Sequence, residues 1–235
     1  RFKTSTRKIL YACLKRKLTR EIKVAQLAGY VSEHSGYHHG EMSLNKAIVG
    51  MAQEYVASNN INLLIPNGQF GTRLEGGKDS ASERYIYTLL NNITYNIFPE
   101  ADMRVLNYLN DDGYMVEPDF YAPIIPMILV NGGKGIGTGF SYEGMFYNVK
   151  SIITYLKHKL FPNKYSRVDI EPYYEGFKGD IIKIEDQKYL IKGKYKQDSY
   201  DTITITELPI GVWTSNYKEH IETLQDNKDK KGRKK

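Results

Sequence analysis

Apolar residues recur every three or four positions through most of the first hundred residues of the chain. Ile9, Leu10, Cys13 and Leu14 share one face of a predicted helix over 4–17, which Thr4, Ser5 or Thr6 can cap. Val24, Leu27, Ala28 and Val31 define a second helix over 23–32. A polar stretch at 33–40 interrupts the pattern. A third helix then spans 41–57, with Leu44, Ile48, Met51 and Tyr55 inward. Residues 63–84 are rich in glycine and polar groups and read as a hairpin. A further helix over 88–98 uses Leu90, Ile93 and Ile97. From 115 to 130 the pattern turns strand-like, broken by Pro118, Pro123 and Pro126, and the apolar run 124–130 reads as a buried strand. A glycine run at 131–139 follows. Beyond it lie one amphipathic helix over 148–161 and a set of strands over 179–208, where Thr202, Ile203, Thr204, Ile205 and Thr206 alternate cleanly.

Short helices with tight breaks, then a Gly-rich hairpin, imply an α+β chain that opens on a helix-turn-helix with a wing. The change of style near 141–146 divides it into a domain over 1–140 and a second over 141–235. No internal repeat is present. The 235 residues are 41% hydrophobic, enough to bury a core. The longest apolar stretch is far short of the roughly 18 residues that span a bilayer, so no membrane is expected. The chain opens Arg1-Phe2-Lys3, without a charged-then-apolar leader, and its single cysteine, Cys13, has no internal partner. Both point to an intracellular, reducing setting. Net charge is +6, and nine basic residues against one acid, Glu21, lie between Arg1 and Lys23. Six more basic residues against one acid, Asp229, occupy 228–235. Such clustering suits a polyanion, nucleic acid first, although a solvated helix face accounts for one cluster equally well.

Three constellations can carry chemistry. Arg84-Tyr85 ends the polar, Gly-rich segment 69–85. A phenol has a pKa of about 10, so it attacks a phosphodiester only where its anion is stabilised. Arg84 supplies a permanent charge and a donor fork for phosphate. On spacing alone, an exposed Arg-Tyr pair without chemistry is the commoner outcome. His38 and His39 stand before a predicted helix start, where free backbone N–H groups collect anions and a histidine can donate to a phosphate oxygen. A capping or packing pair is the plainer reading there. No cysteine cluster completes a zinc site with them, and no metal site is expected in the chain. The run Gly132-Gly133-Lys134-Gly135-Ile136-Gly137 matches neither a Walker A loop nor G-x-G-x-x-G. Its one apolar side chain, Ile136, either packs inward from a tight turn or projects as a wedge between base pairs.

In this order the segments resemble the DNA-cleavage region of eukaryotic-type type IIA DNA topoisomerases. The likeness is carried by 23–29, by Tyr37-His38-His39-Gly40-Glu41, by Gln69-Phe70-Gly71-Thr72-Arg73, and by 76–82 running into Arg84-Tyr85. It continues through Pro123 to Met127, Gly135-Ile136-Gly137-Thr138-Gly139, Glu207-Leu208-Pro209 and Trp213-Thr214. The resemblance implies a winged-helix domain followed by part of an α/β tower domain. It makes Tyr85 the nucleophile that joins a DNA 5′-phosphate, with Arg84 and His39 stabilising the scissile phosphate. It makes Ile136 the residue that intercalates and bends DNA, and extends DNA contacts to Lys3, Arg7, Lys8, His38, Gln69, Arg73, Lys78 and Thr138. Arg1 stands where the family has glycine. The resemblance further implies Mg²⁺ and ATP as cofactors held outside this chain, double-stranded DNA as partner, a homodimer, and a nuclear or viral replication compartment. It reads the chain as part of a larger enzyme that binds DNA by itself without cleaving it. The alternative is a winged-helix DNA-binding regulator.

Overall fold

The computed structural model describes residues 2–225. The basic run at 228–235 lies outside the described residues. Three helices open the fold: α1 (Thr4–Lys15), α2 (Val24–Ser35) and α3 (Glu41–Ala52). They pack through the faces the periodicity assigned, burying Ile9, Leu10 and Cys13, then Val24, Leu27 and Val31, then Leu44 and Ile48. The capping of α1 differs from expectation. Its N-cap is Lys3, with no side-chain cap bond. Helix α2 ends at Gly36, whose φ of +57° is the left-handed turn that glycine adopts without strain. A Cβ there would also run into the Asp111 carboxylate. Helix α3 stops at Ala52 rather than 57. Asn59 explains the stop: its Nδ2 donates to the carbonyls of Gly50 and Gln53, each at 2.9 Å, taking up acceptors the helix leaves open.

A short strand β1 (Ile22–Lys23) joins α1 to α2 and lies against the antiparallel pair β2 (Leu64–Asn67) and β3 (Tyr87–Leu90), in the order β1-β3-β2. The predicted helix over 88–98 is therefore wrong in its first turn. Thr88 is fully buried between Ile22 and Pro66, its Oγ1 donating to the Ile65 carbonyl at 2.8 Å. Only after Asn91, which caps through its side chain, does α4 (Asn92–Ile97) begin.

After a 3₁₀ turn (Glu100–Val105) come the hairpin β4 (Tyr108–Asp111) and β5 (Tyr114–Pro118) and a one-turn helix α5 (Met127–Val130). The buried strand expected over 124–130 is corrected to this helix. Periodicity cannot separate a strand from a helical turn in so short a run, and Pro126 leads in with the fixed φ that suits a helix start. The glycine run forms β6 (Gly133–Gly137), paired with β7 (Phe140–Gly144), with Thr138 and Gly139 at the turn. Helix α6 (Val149–Leu160) follows, capped by the Asn148 side chain. Hairpins β8 (Asp180–Glu185) with β9 (Lys188–Lys192), and β10 (Lys194–Gln197) with β11 (Ile203–Glu207), then lead into α7 (Thr214–Gln225).

Candidate phosphodiester-cleavage site

Tyr85 ends a turn two residues before β3, closed by its own N–H donating to the Ser82 carbonyl at 2.9 Å. Its ring is 71% exposed, while the next residue, Ile86, is buried. The turn docks on the start of α2. There Val24 N–H donates to Ile86 C=O at 3.0 Å and Ala25 N–H to Glu83 C=O at 3.1 Å. These are helix donors with no intrahelical partner, so the start of α2 fixes the backbone on both sides of Tyr85. Tyr85 is not on a strand, and the turn lets neighbouring side chains share a side. The Arg84 guanidinium lies over the Tyr85 ring, 5.6 Å from its centroid.

The loop leading to this turn is stapled internally. Asp79 accepts from Thr72 N–H at 2.9 Å and from Thr72 Oγ1 at 2.5 Å. Gly77 N–H reaches Thr72 C=O and Ala81 N–H reaches Gln69 C=O, both at 2.9 Å. The Thr72 hydroxyl, followed by the Thr72 N–H, holds the Asp79 carboxyl below its ordinary value. A cleft of about 760 Å³ separates this loop from α3, bordered by Met42, Lys46, Lys78, Ser82 and Glu83. Asn45 lies at its floor, with its Oδ1 buried and without a protein partner.

His39 is exposed one residue before Gly40, the N-cap of α3, with its ring edge-on to Tyr37 at 5.5 Å. His38 is also exposed, its Nε2 3.4 Å from Asp111 Oδ2. Lys3, Gln69 and Lys78 are exposed, and Gln69 Oε1 accepts from Gly71 N–H at 3.2 Å. Ile136 is 83% exposed near the tip of the β6–β7 hairpin, with Thr138 at the turn. The inward-packed reading of Ile136 does not hold.

Two expected DNA contacts turn inward instead. Lys8 Nζ is 2.8 Å from Glu117 Oε2, with both side chains largely buried, and it also donates to the Ser35 carbonyl. Arg73 Nη1 pairs with Glu207 Oε1, and its Nη2 donates to the Leu208 carbonyl at 2.6 Å. Buried carboxylates 109 and 134 residues away claim these cations, a pairing that sequence spacing does not reveal. Arg7 is partly inward as well, with Nη1 donating to Phe2 C=O at 3.3 Å. The sequence reading missed Asn45, the Asp79 staple and Glu117. Of these only Asp79, inside the Gly-rich segment, stood near a signal.

The family model for DNA gyrase/topoisomerase IV, built on the A-type polypeptide of those enzymes, matches residues 2–234. The chain belongs to this family. It is 52% identical to DNA topoisomerase 2 of Arabidopsis thaliana over 95% of its own length, and 50% identical to DNA topoisomerase 2 of Plasmodium falciparum over 95%. It spans only about 15% of the length of these curated relatives. A crystal structure of the Plasmodium falciparum topoisomerase II DNA-binding, cleavage and re-ligation domain superposes with a TM-score of 0.93 at 50% identity. That superposition covers 96% of this chain and 31% of the other. Within the topoisomerase family, then, the exposed Arg84-Tyr85 turn, the α3 entry with His39 and the Ile136 hairpin all lie in a segment shared along nearly its whole length.

Proposed function

We propose that this topoisomerase-family chain supplies the DNA-cleaving segment of an ATP-dependent type II topoisomerase, with Tyr85 as nucleophile. One observation carries the reading: an exposed tyrosine with a guanidinium over its ring, on a turn fixed by the start of α2, in a chain 50% identical to a DNA-cleavage domain. In this reading Tyr85 Oη bonds to a backbone phosphorus as the P–O3′ bond breaks. The phenolic proton is lost and the departing O3′ ends as a hydroxyl, leaving a 5′-phosphotyrosyl link. Arg84 and His39 offset charge on the phosphate oxygens. Reversal of the same step reseals the strand. Ile136 wedges the duplex and bends it, and Lys3, Lys78, Gln69, His38 and Thr138 hold the backbone.

Among the described residues no group of three or more His, Cys, Asp or Glu side chains could hold a metal ion. The described residues thus do not fit a Mg²⁺ site, and no step here runs through one. In this proposal Mg²⁺ and ATP act on other parts of the enzyme. Two copies cut the two strands of a duplex while a second duplex passes, and the setting is a DNA-containing compartment, the nucleus or a viral replication site. The division at about residue 140, into a winged-helix domain and the start of a tower domain, belongs to the same reading. It is consistent with three helices preceding an antiparallel sheet. Among the described residues no helix is long and apolar enough to cross a membrane. A winged-helix regulator is not favoured, because the relatives found are topoisomerases along the whole matched length. The test is covalent adduct formation by the full-length enzyme on end-labelled duplex DNA. Protein must appear on the 5′ ends of the break, and attachment to the 3′ ends would refute the assignment.

A further inference from the structure

The Arg73–Glu207 pair joins two parts of the chain that the chemistry of Tyr85 does not itself require to meet. Glu207 ends β11 and its side chain is 5% exposed. Its Oε1 takes the Arg73 guanidinium, and its Oε2 accepts from Lys178 N–H at 3.0 Å. The same guanidinium reaches the Leu208 carbonyl, so both branches of its fork are engaged by the C-terminal half. Two further contacts reinforce this seam. Ser215 N–H, at the start of α7, donates to Leu74 C=O at 3.0 Å. The Trp213 ring lies so close to Gly76 that a Cβ there would collide with the indole. From the other side Gln53, just past α3, donates through Nε2 to Phe70 C=O at 2.9 Å, and Tyr55 meets Trp213 edge-on at 5.9 Å. The loop between these clamps is internally stapled by Thr72 and Asp79, and runs through Ala81 into the turn that ends at Tyr85. A stapled loop moves as a unit, so a displacement at Arg73 is carried to the reacting phenol.

We infer that the Arg73–Glu207 pair is a positioning couple through which the β10–β11 and α7 region sets the place of Tyr85, an inference that rests on the proposed role of Tyr85. A movement of that region during the catalytic cycle would then align or misalign the nucleophile, tying cleavage to the state of the C-terminal half. Neither residue touches DNA in this scheme. Their loss appears in the cleavage step and not in DNA affinity.

The test uses the full-length enzyme and a nicked suicide duplex that traps the covalent adduct in a single turnover. Glu207→Gln is expected to slow adduct formation by about 100-fold, the scale of a misplacement near 1 Å, with DNA affinity unchanged within about twofold. Arg73→Lys keeps the charge but loses the fork, and is expected to slow the step by about tenfold. It keeps the test open where Glu207→Gln fails to fold. Exchanging the charges, Arg73→Glu with Glu207→Arg, is expected to cleave faster than Arg73→Glu alone. Wild-type cleavage rates in both single variants would overturn the couple, and so would a loss of DNA affinity that accounts for the whole loss of rate. Wild-type cleavage through a residue other than Tyr85 would overturn the role of Tyr85 and this inference together.

Discussion

A phenol near neutral pH is almost entirely protonated, so the residues beside Tyr85 decide whether it reacts. Arg84 is the only charged side chain placed over its ring in the described residues. Arg84→Ala is expected to slow adduct formation by about 100- to 1000-fold, as loss of one transition-state donor does, while Arg84→Lys restores part of the rate. Single-turnover cleavage rates check this, and an unchanged rate in Arg84→Ala would remove its role. Asp79 gives a pH dependence. Its carboxyl is held below the ordinary value by Thr72, so its contribution to loop order is fully present above the unfolded pKa of about 3.9 and is lost as pH falls through the lower folded value. Limited proteolysis of residues 69–83 should be constant from neutral pH down to about 4 and should rise below it. Asp79→Asn should expose the loop even at neutral pH. At this scale the sequence was informative where a side chain acts outward. Tyr85, Arg84, His39 and Ile136 are all exposed, as their motifs implied. It was uninformative for Lys8 and Arg73, whose roles depend on carboxylates more than a hundred residues away.

Elements decide how these side chains are presented. The β6–β7 hairpin pairs Gly137 with Phe140 across a two-residue turn, and Gly139 takes a φ of +71° there. Glycine-rich strands leave Ile136 without flanking side chains, so its aliphatic group projects alone. Ile136→Ala is expected to reduce DNA bending in a fluorescence-transfer bending assay while leaving DNA affinity within about threefold, since backbone contacts supply most of the affinity. An unchanged bend would remove the wedge. Helices α1 to α3 were legible because their apolar faces repeat at helical spacing over three turns. Strand β3 was not, because Leu90, Ile93 and Ile97 keep helical spacing although the chain stays extended through Leu90. Long-range pairing with β1 and β2 overrides that local pattern.

Across the whole molecule, buried charge pairs tie distant segments together. Lys8 of α1 meets Glu117 of β5, with side chains 11% and 2% exposed. Removing one partner strands a desolvated charge, so Lys8→Ala is expected to lower stability by about 3–5 kcal/mol. Chemical denaturation measures this, and the salt dependence of DNA binding should be unchanged, because Lys8 neutralises no phosphate in this account. A shallower salt dependence would return Lys8 to the DNA interface. The basic N-terminal cluster is thus divided, with Lys3 facing outward and Lys8 building the fold. The chain's central chemistry is tested most directly by mapping the covalent attachment. Full-length enzyme trapped on duplex DNA, digested with trypsin and fragmented in a mass spectrometer, is predicted to carry the nucleotide on Tyr85, within the peptide spanning 85–104. The Tyr85→Phe enzyme is predicted to bind DNA and form no adduct. Attachment at any other residue, or an adduct persisting in Tyr85→Phe, would contradict the account.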